Sequence, residues 1–129
     1  MPSTVKTSRY SYGDTVTALS KAIASAGNTI FATIDQAAAA AGVGLSLRPT
    51  TLLVFGNPKG GTGLMAAFPL TALDLPLKLL VWEEDGTVNV AYVPMSAIAE
   101  RYGVTGMDAL IANMDHALDT LTNLVRADG

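Results

Sequence analysis

The 129-residue sequence contains no cysteine, one histidine, one tryptophan and few charges, 15% in all. Without cysteine there is no disulfide, no thiolate nucleophile and no cysteine zinc site. His116, beside Asp115 and Asp119, is too thin a supply for a metal centre, because zinc sites draw on several imidazoles or thiolates at recognisable spacing. No metal is assigned, and His116 reads as a solvated or interface residue on a helix. No serine sits in a nucleophile-elbow motif, so a nucleophilic triad has no basis. Eight basic against eleven acidic residues give a net charge of -3, with no basic stripe and no interleaving of basic and aromatic residues. No nucleic-acid partner is therefore expected. No apolar run approaches a membrane span and the first residues lack the apolar core of a secretory signal, so the expectation is a cytoplasmic protein without a membrane partner.

Half of the residues are hydrophobic, enough for one domain over residues 1–129 with an ordinary core. Val5 to Tyr12 reads as a first strand, after which Asp14 is placed to cap a helix with Val16, Leu19, Ile23 and Ala26 on one face. Gly27 closes that helix. Thr29 to Ile34 alternates as a strand, with Ile30, Ala32 and Ile34 on one side and Phe31 on the other. Asp35 begins a short alanine-rich helix that Gly42 ends. Thr51 to Phe55 is nearly all apolar, which predicts a strand buried on both faces.

A run of glycines follows that strand: Phe55-Gly56-Asn57-Pro58-Lys59-Gly60-Gly61-Thr62-Gly63. Such a loop can turn backbone N–H groups and a lysine toward an anion. It does not match the phosphate-binding order G-x-x-x-x-G-K-[ST], since Thr62 and Gly63 follow Gly61 where the lysine and hydroxyl belong. Two readings stand: a tight strand-to-helix connection turned by Asn57-Pro58, and an anion or carboxylate site made by Lys59 and the N–H groups of Gly60 to Gly63. Thr62 to Phe68 reads as one or two helical turns and Pro69 to Pro76 as mostly loop.

Leu77 to Glu83 and Val88 to Tyr92 flank Glu84-Asp85-Gly86-Thr87, where Asp-Gly marks a hairpin turn. Met95 to Tyr102 is a short helix ended by Gly103. A long helix then spans about Met107 to Arg126. Its stripe of Met107, Ile111, Met114, Leu118, Leu121 and Val125 has coiled-coil spacing, but Leu110 and Leu124 widen it toward a face that packs on a sheet.

The strings Ile34-Asp35-Gln36-Ala37-Ala38, Leu47-Arg48-Pro49-Thr50 running into Leu53-Val54-Phe55-Gly56-Asn57-Pro58-Lys59, Asp74-Leu75-Pro76-Leu77-Lys78 into Val81-Trp82-Glu83, and Tyr92 occur in one order. Together they make residues 10 to 104 resemble the family called domain of unknown function 302. The resemblance implies an α+β fold of two layers, a mainly antiparallel sheet packed against helices with the long C-terminal helix added, and a homodimer. It implies no activity. Where that family often has histidine after the aspartate of its first motif, this chain has Gln36, which puts any role of that histidine as ligand or base in doubt here.

The resulting expectation is a dimeric module that binds a small polar or anionic ligand near Gly56–Gly63. Asp35, Gln36, Asn57, Lys59 and Thr62 would surround the ligand, and Trp82 and Tyr92 would supply a flat apolar wall. One alternative is a structural or protein-interaction domain with no ligand, in which these motifs preserve the fold. Another is an enzyme with Asp35 as general base and Lys59 stabilising a developing negative charge. No cofactor is named by the residues. The dimer would be held by the C-terminal helix, an edge strand, or both.

Overall fold

The computed structural model describes residues 3–127; residues 1, 2, 128 and 129 of the expected domain lie outside it. Five strands, β1 (Thr4–Thr7), β2 (Thr29–Asp35), β3 (Thr50–Gly56), β4 (Leu77–Glu84) and β5 (Thr87–Tyr92), form one sheet in the order β1-β5-β4-β3-β2. Every neighbouring pair is antiparallel. The helices are α1 (Tyr12–Ser25), α2 (Gln36–Ala41), α3 (Pro58–Ala67), α4 (Met95–Arg101) and α5 (Asp108–Asn123), with a 3-10 turn at Pro69–Leu73. This is the expected α+β architecture with a long C-terminal helix.

Alternation along the strands divides the sheet into a covered and an uncovered face. Leu53 and Phe55 of β3, Leu79 and Val81 of β4, and Val88 and Val90 of β5 are buried with Leu19 and Ile23 of α1, Leu64 of α3, Met95 and Ile98 of α4, and Ile111, Leu118 and Leu121 of α5. Leu52, Val54, Leu80 and Trp82 point the other way and remain only half-buried. The expectation that β3 is buried on both faces is thus corrected: the segment is apolar on both sides, yet the helices cover one. The stripe of α5 is buried inside the chain, so it packs on the core instead of forming an exposed coiled-coil seam.

Three local differences from the sequence reading have clear causes. The first strand stops at Thr7, and Ser11 caps α1, its hydroxyl accepting the Asp14 N–H at 3.1 Å. Asp14 lies instead in the first turn, where its charge complements the helix dipole. In β2 a bulge at Phe31 shifts the register, so Ile30 lies opposite Phe55 on the covered face while Ala32 and Ile34 lie opposite Val54 and Leu52 on the uncovered one. The expected alternation fails there, and Phe31 is left 53% exposed. Third, the glycine run is not a loop, because α3 begins at Pro58 with Pro at the first helical position and Asn57 as its cap.

The hairpin forms as expected. Asp85 and Gly86 both have positive φ, 52° and 81°, as a two-residue primed turn requires. At one edge of the sheet, β1 is held by more than its ladder with β5. Lys6 projects onto the covered face, its side chain 8% exposed, and reaches the end of α5. Its ammonium donates to Asp119 Oδ1 at 2.7 Å, Thr122 Oγ1 at 2.8 Å, Asn123 Oδ1 at 2.8 Å and the Asp119 carbonyl at 3.3 Å. The last turn of α5 has no basic residue of its own, so β1 supplies the cation that a helix C-terminus favours.

Candidate functional site

The expected site residues occupy separate places. Asp35 caps α2, its carboxylate accepting the Ala38 N–H at 2.9 Å. It lies opposite Thr51, whereas Gly56 lies five residues further along β3 and opposite Thr29. Five residues of strand span about 17 Å, so Asp35 and Gln36 stand at the far end of the β2–β3 pair from Asn57 and Lys59. The enclosure of one ligand by all of these groups, and the enzyme reading that needs Asp35 and Lys59 at one substrate, are corrected on that ground. Gln36 instead shares a shallow depression with Arg48, Thr50, Leu80 and Trp82.

Trp82 and Tyr92 do not form a flat wall. Trp82 lies opposite Asn89 and Leu80 opposite Ala91, which puts the side chain of Tyr92 on the other face of the sheet. Tyr92 is buried, with the Lys6 ammonium 5.9 Å from its ring centre, and burial, reinforced by the Asp119 charge, pushes its phenol above the ordinary range. Both residues line parts of a cavity of about 360 Å³ whose apolar floor includes Val5, Leu52, Leu80 and Ala91. Lys78 and Asp74 stand at this cavity. The Lys78 ammonium donates to the carbonyls of Asp74 and Pro76, both at 3.0 Å. Burial pushes Lys78 below the ordinary lysine range, with the Asp74 charge opposing. Tyr102 donates to Asp74 at 2.5 Å, and that bond is the main reason its phenol is held high.

The glycine segment has its own smaller pocket, about 170 Å³, lined by Phe31, Gly56, Asn57, Pro58, Gly61, Thr62, Met65, Leu75, Pro76, Leu77 and Met114. Among the described residues no titratable side chain lines it. The Asn57 carbonyl oxygen accepts the Lys59 N–H at 3.0 Å, which leaves the amide NH2 without a partner among the described residues. The Gly60 and Gly61 N–H groups donate to the Asn57 backbone carbonyl, at 2.9 and 3.1 Å, and the Thr62 hydroxyl donates to the Pro58 carbonyl at 2.6 Å. Two of the N–H groups expected to cradle an anion are therefore engaged inside the helix. Lys59 is exposed and is not among the lining residues.

Sequence reading found Asn57 and Thr62 but missed Phe31, Met65 and Met114. Phe31 is turned toward the segment by the bulge, and Met114 comes from a helix about fifty residues further on; neither has a local signal. His116 is exposed on α5, and Asp115 caps α4 by accepting the Met95 and Ser96 N–H groups. Among the described residues no group of three or more His, Cys, Asp or Glu is placed to hold a metal ion.

The sequence matches the family model "Domain of unknown function DUF302" over residues 4–121. The chain belongs to the DUF302 family. The crystal structure of an uncharacterized conserved DUF302 protein from Bacillus stearothermophilus has the same fold, with a TM-score of 0.89 at 17% identity, covering 98% of this chain and 99% of that one. Among curated proteins, "Fluoride-specific ion channel FluC 1" of Brucella suis biovar 1 (strain 1330) is 33% identical over 94% of this chain and 48% of its own length. "Fluoride-specific ion channel FluC 2" of Brucella melitensis biotype 1 (strain ATCC 23456 / CCUG 17765 / NCTC 10094 / 16M) is also 33% identical, over 94% of this chain and 46% of its own length. The DUF302 chain thus spans about half the length of the curated relatives it matches. Among its described residues no helix is long and apolar enough to cross a membrane.

Proposed function

We propose that this DUF302 domain is a non-catalytic binding module that takes a small molecule with an apolar body and a hydrogen-bond-accepting or anionic end in the pocket beside α3. The observation that carries this reading is the lining. It is apolar apart from Asn57 and Thr62, it contains no group that could move a proton, and the Asn57 amide keeps two N–H donors available. A volume of about 170 Å³ is close to that of cavities that take up a benzene-sized ligand. Lys59 stands on the first turn of the same helix and adds a positive charge for the polar end. The relatives whose names describe channels are about twice as long as this chain.

Small aromatic and branched aliphatic carboxylates, with benzoate as the first probe, test the reading in a thermal-shift series. A ligand at a hundred times its dissociation constant stabilises by about 2.7 kcal/mol. Gly61 is the position to fill: a Cβ there meets the Met65 methyl at 3.6 Å, in ordinary contact. Gly61→Leu should leave the fold intact, since it also removes a helix-interior glycine, while abolishing the shift. Lys59→Ala should weaken carboxylates more than their neutral analogues. Shifts that persist unchanged in Gly61→Leu, or the lack of any shift across the series, would overturn the pocket as the site.

A further inference from the structure

The cavity of about 360 Å³ at Lys78 and Trp82 differs from the pocket beside α3 in having two charged groups in its lining, Lys78 and Asp74. Its floor is apolar. Leu80 of β4 lies between Leu52 of β3 and Ala91 of β5, all on the uncovered face of the sheet. Trp82 follows Lys78 on the same face, four residues or about 13 Å along β4. We propose that this cavity binds a free α-amino acid with an apolar side chain, its carboxylate on the Lys78 ammonium, its ammonium on the Asp74 carboxylate and its side chain on Leu52, Leu80 and Trp82.

Lys78 calls for an anion. Its side chain is half-buried, and the ammonium gives two of its three donors to the neutral carbonyls of Asp74 and Pro76. Among the described residues no carboxylate lies within ion-pair distance of it. One donor is left over, and the charge has lost part of its water without gaining a bonded counter-ion, which is why burial holds Lys78 below the ordinary lysine range. Asp74 excludes a simple anion. Its charge is near enough to oppose the effect of burial on Lys78, so it also repels any carboxylate brought to that ammonium. Tyr102 and Arg101 both donate to Asp74 Oδ2, at 2.5 and 3.4 Å, and among the described residues nothing donates to Oδ1. An ammonium on Oδ1 turns the repulsion into attraction. A molecule with both charges on one carbon and an apolar group attached satisfies Lys78, Asp74 and the floor together, and an α-amino acid is that molecule.

The volume sets the size of the ligand. At about 360 Å³ the cavity is near the lower end of the range for small-molecule pockets, roughly 300–1,000 Å³, which suits one amino acid and not a peptide. The pair of Arg48 with Glu84 does not disturb this balance of charge. Glu84 is six residues or about 20 Å from Lys78 along β4, and neither member of the pair lines the cavity. The inference is independent of the pocket beside α3, and either can fail without the other.

Trp82 is the only tryptophan, and it lines this cavity and not the pocket beside α3, so its emission separates the two sites. The test titrates the protein with leucine and phenylalanine, with isocaproate and hydrocinnamate, which lack the ammonium, and with isoamylamine and phenethylamine, which lack the carboxylate. The expected result is a saturable change in Trp82 emission with both amino acids, and binding at least about tenfold weaker for every truncated analogue. Lys78→Met should weaken both amino acids by at least about tenfold. Asp74→Asn keeps an oxygen for the Tyr102 hydroxyl, and it should weaken phenylalanine while tightening hydrocinnamate, an inversion that damage to the fold does not produce. No saturable change with either amino acid would overturn the proposal. So would equal affinities for hydrocinnamate and phenylalanine, or amino-acid binding unaltered by Lys78→Met in a protein folded by circular dichroism. The analogue series uses the unaltered protein and decides the matter even if a variant fails to fold.

Discussion

Replacing Lys6 with methionine removes one ammonium and keeps most of the aliphatic stem against the core. The ammonium serves three side chains and a helix-end carbonyl. Asp119 is 55% exposed and Asn123 is also exposed, so water replaces much of what they lose, and their combined share is less than about 1 kcal/mol. Thr122 is fully buried, and the end of α5 loses the Lys6 ammonium while the Arg9 guanidinium still donates to the Leu124 carbonyl at 3.2 Å, which adds about 1–2 kcal/mol. The total of about 2 kcal/mol corresponds to a melting point roughly 6–10 °C lower for a domain of this size. Calorimetry at neutral pH measures it, with Asp119→Asn as a control that should cost less than half as much. The pH dependence supplies a second check. The Lys6 hydrogen bond and charge hold the Asp119 carboxyl below the usual carboxylate range. A depressed carboxylate stabilises the fold above its unfolded pKa, and that contribution fades as pH falls from there through the folded value. The acid limb of the stability curve should therefore be shallower in Lys6→Met than in wild type. A Lys6→Met protein melting within about 2 °C of wild type would refute the reasoning, since that is the span of a substitution with no energetic role.

Gly86→Val should destabilise by about 1–2 kcal/mol, because a β-branched residue is strained at φ 81° even though no neighbouring atom lies within 4 Å; an unchanged denaturation midpoint would show that the turn adopts another type at no cost. Asp115→Ala should cost about 1 kcal/mol by leaving the Met95 and Ser96 N–H groups uncapped, and should speed amide exchange within α4 ahead of the sheet. Exchange in α4 that matches wild type would remove Asp115 from that role.

Much of the framework was legible because its signals are local. Asp85-Gly86 between two apolar runs dictates the hairpin, Asp35 caps α2 as its type and place suggest, and the stripe on α5 locates the core-facing side of that helix. The misreadings share another cause. An apolar strand such as β3 has the same sequence whether one face or both are covered, because covering depends on where distant helices settle. Phe31 looks like one more alternating residue until pairing with β3 reveals the bulge. Glycines at positions 60, 61 and 63 argue against a helix by propensity, yet Pro58 at its first position and the Asn57 cap start one there. The candidate site was half legible for the same reason. Asn57 and Thr62 are neighbours in sequence, whereas Met114 reaches their pocket only through the tertiary fold.

The joining of β1 to the chain's last helical turns sets how the domain would respond to a pull. The Ala127 N–H donates to the Thr7 carbonyl at 2.8 Å and the Arg9 N–H to the Val125 carbonyl at 2.9 Å, so both ends of the described chain leave from one edge of the sheet. Tension applied between them falls first on this seam and on the Lys6 cluster, and it opens β1 one bond at a time while the four remaining strands bear little load. A neighbour tethered at either end would thus be coupled to a short edge strand that yields first, with the pocket beside α3 on the strands that yield last.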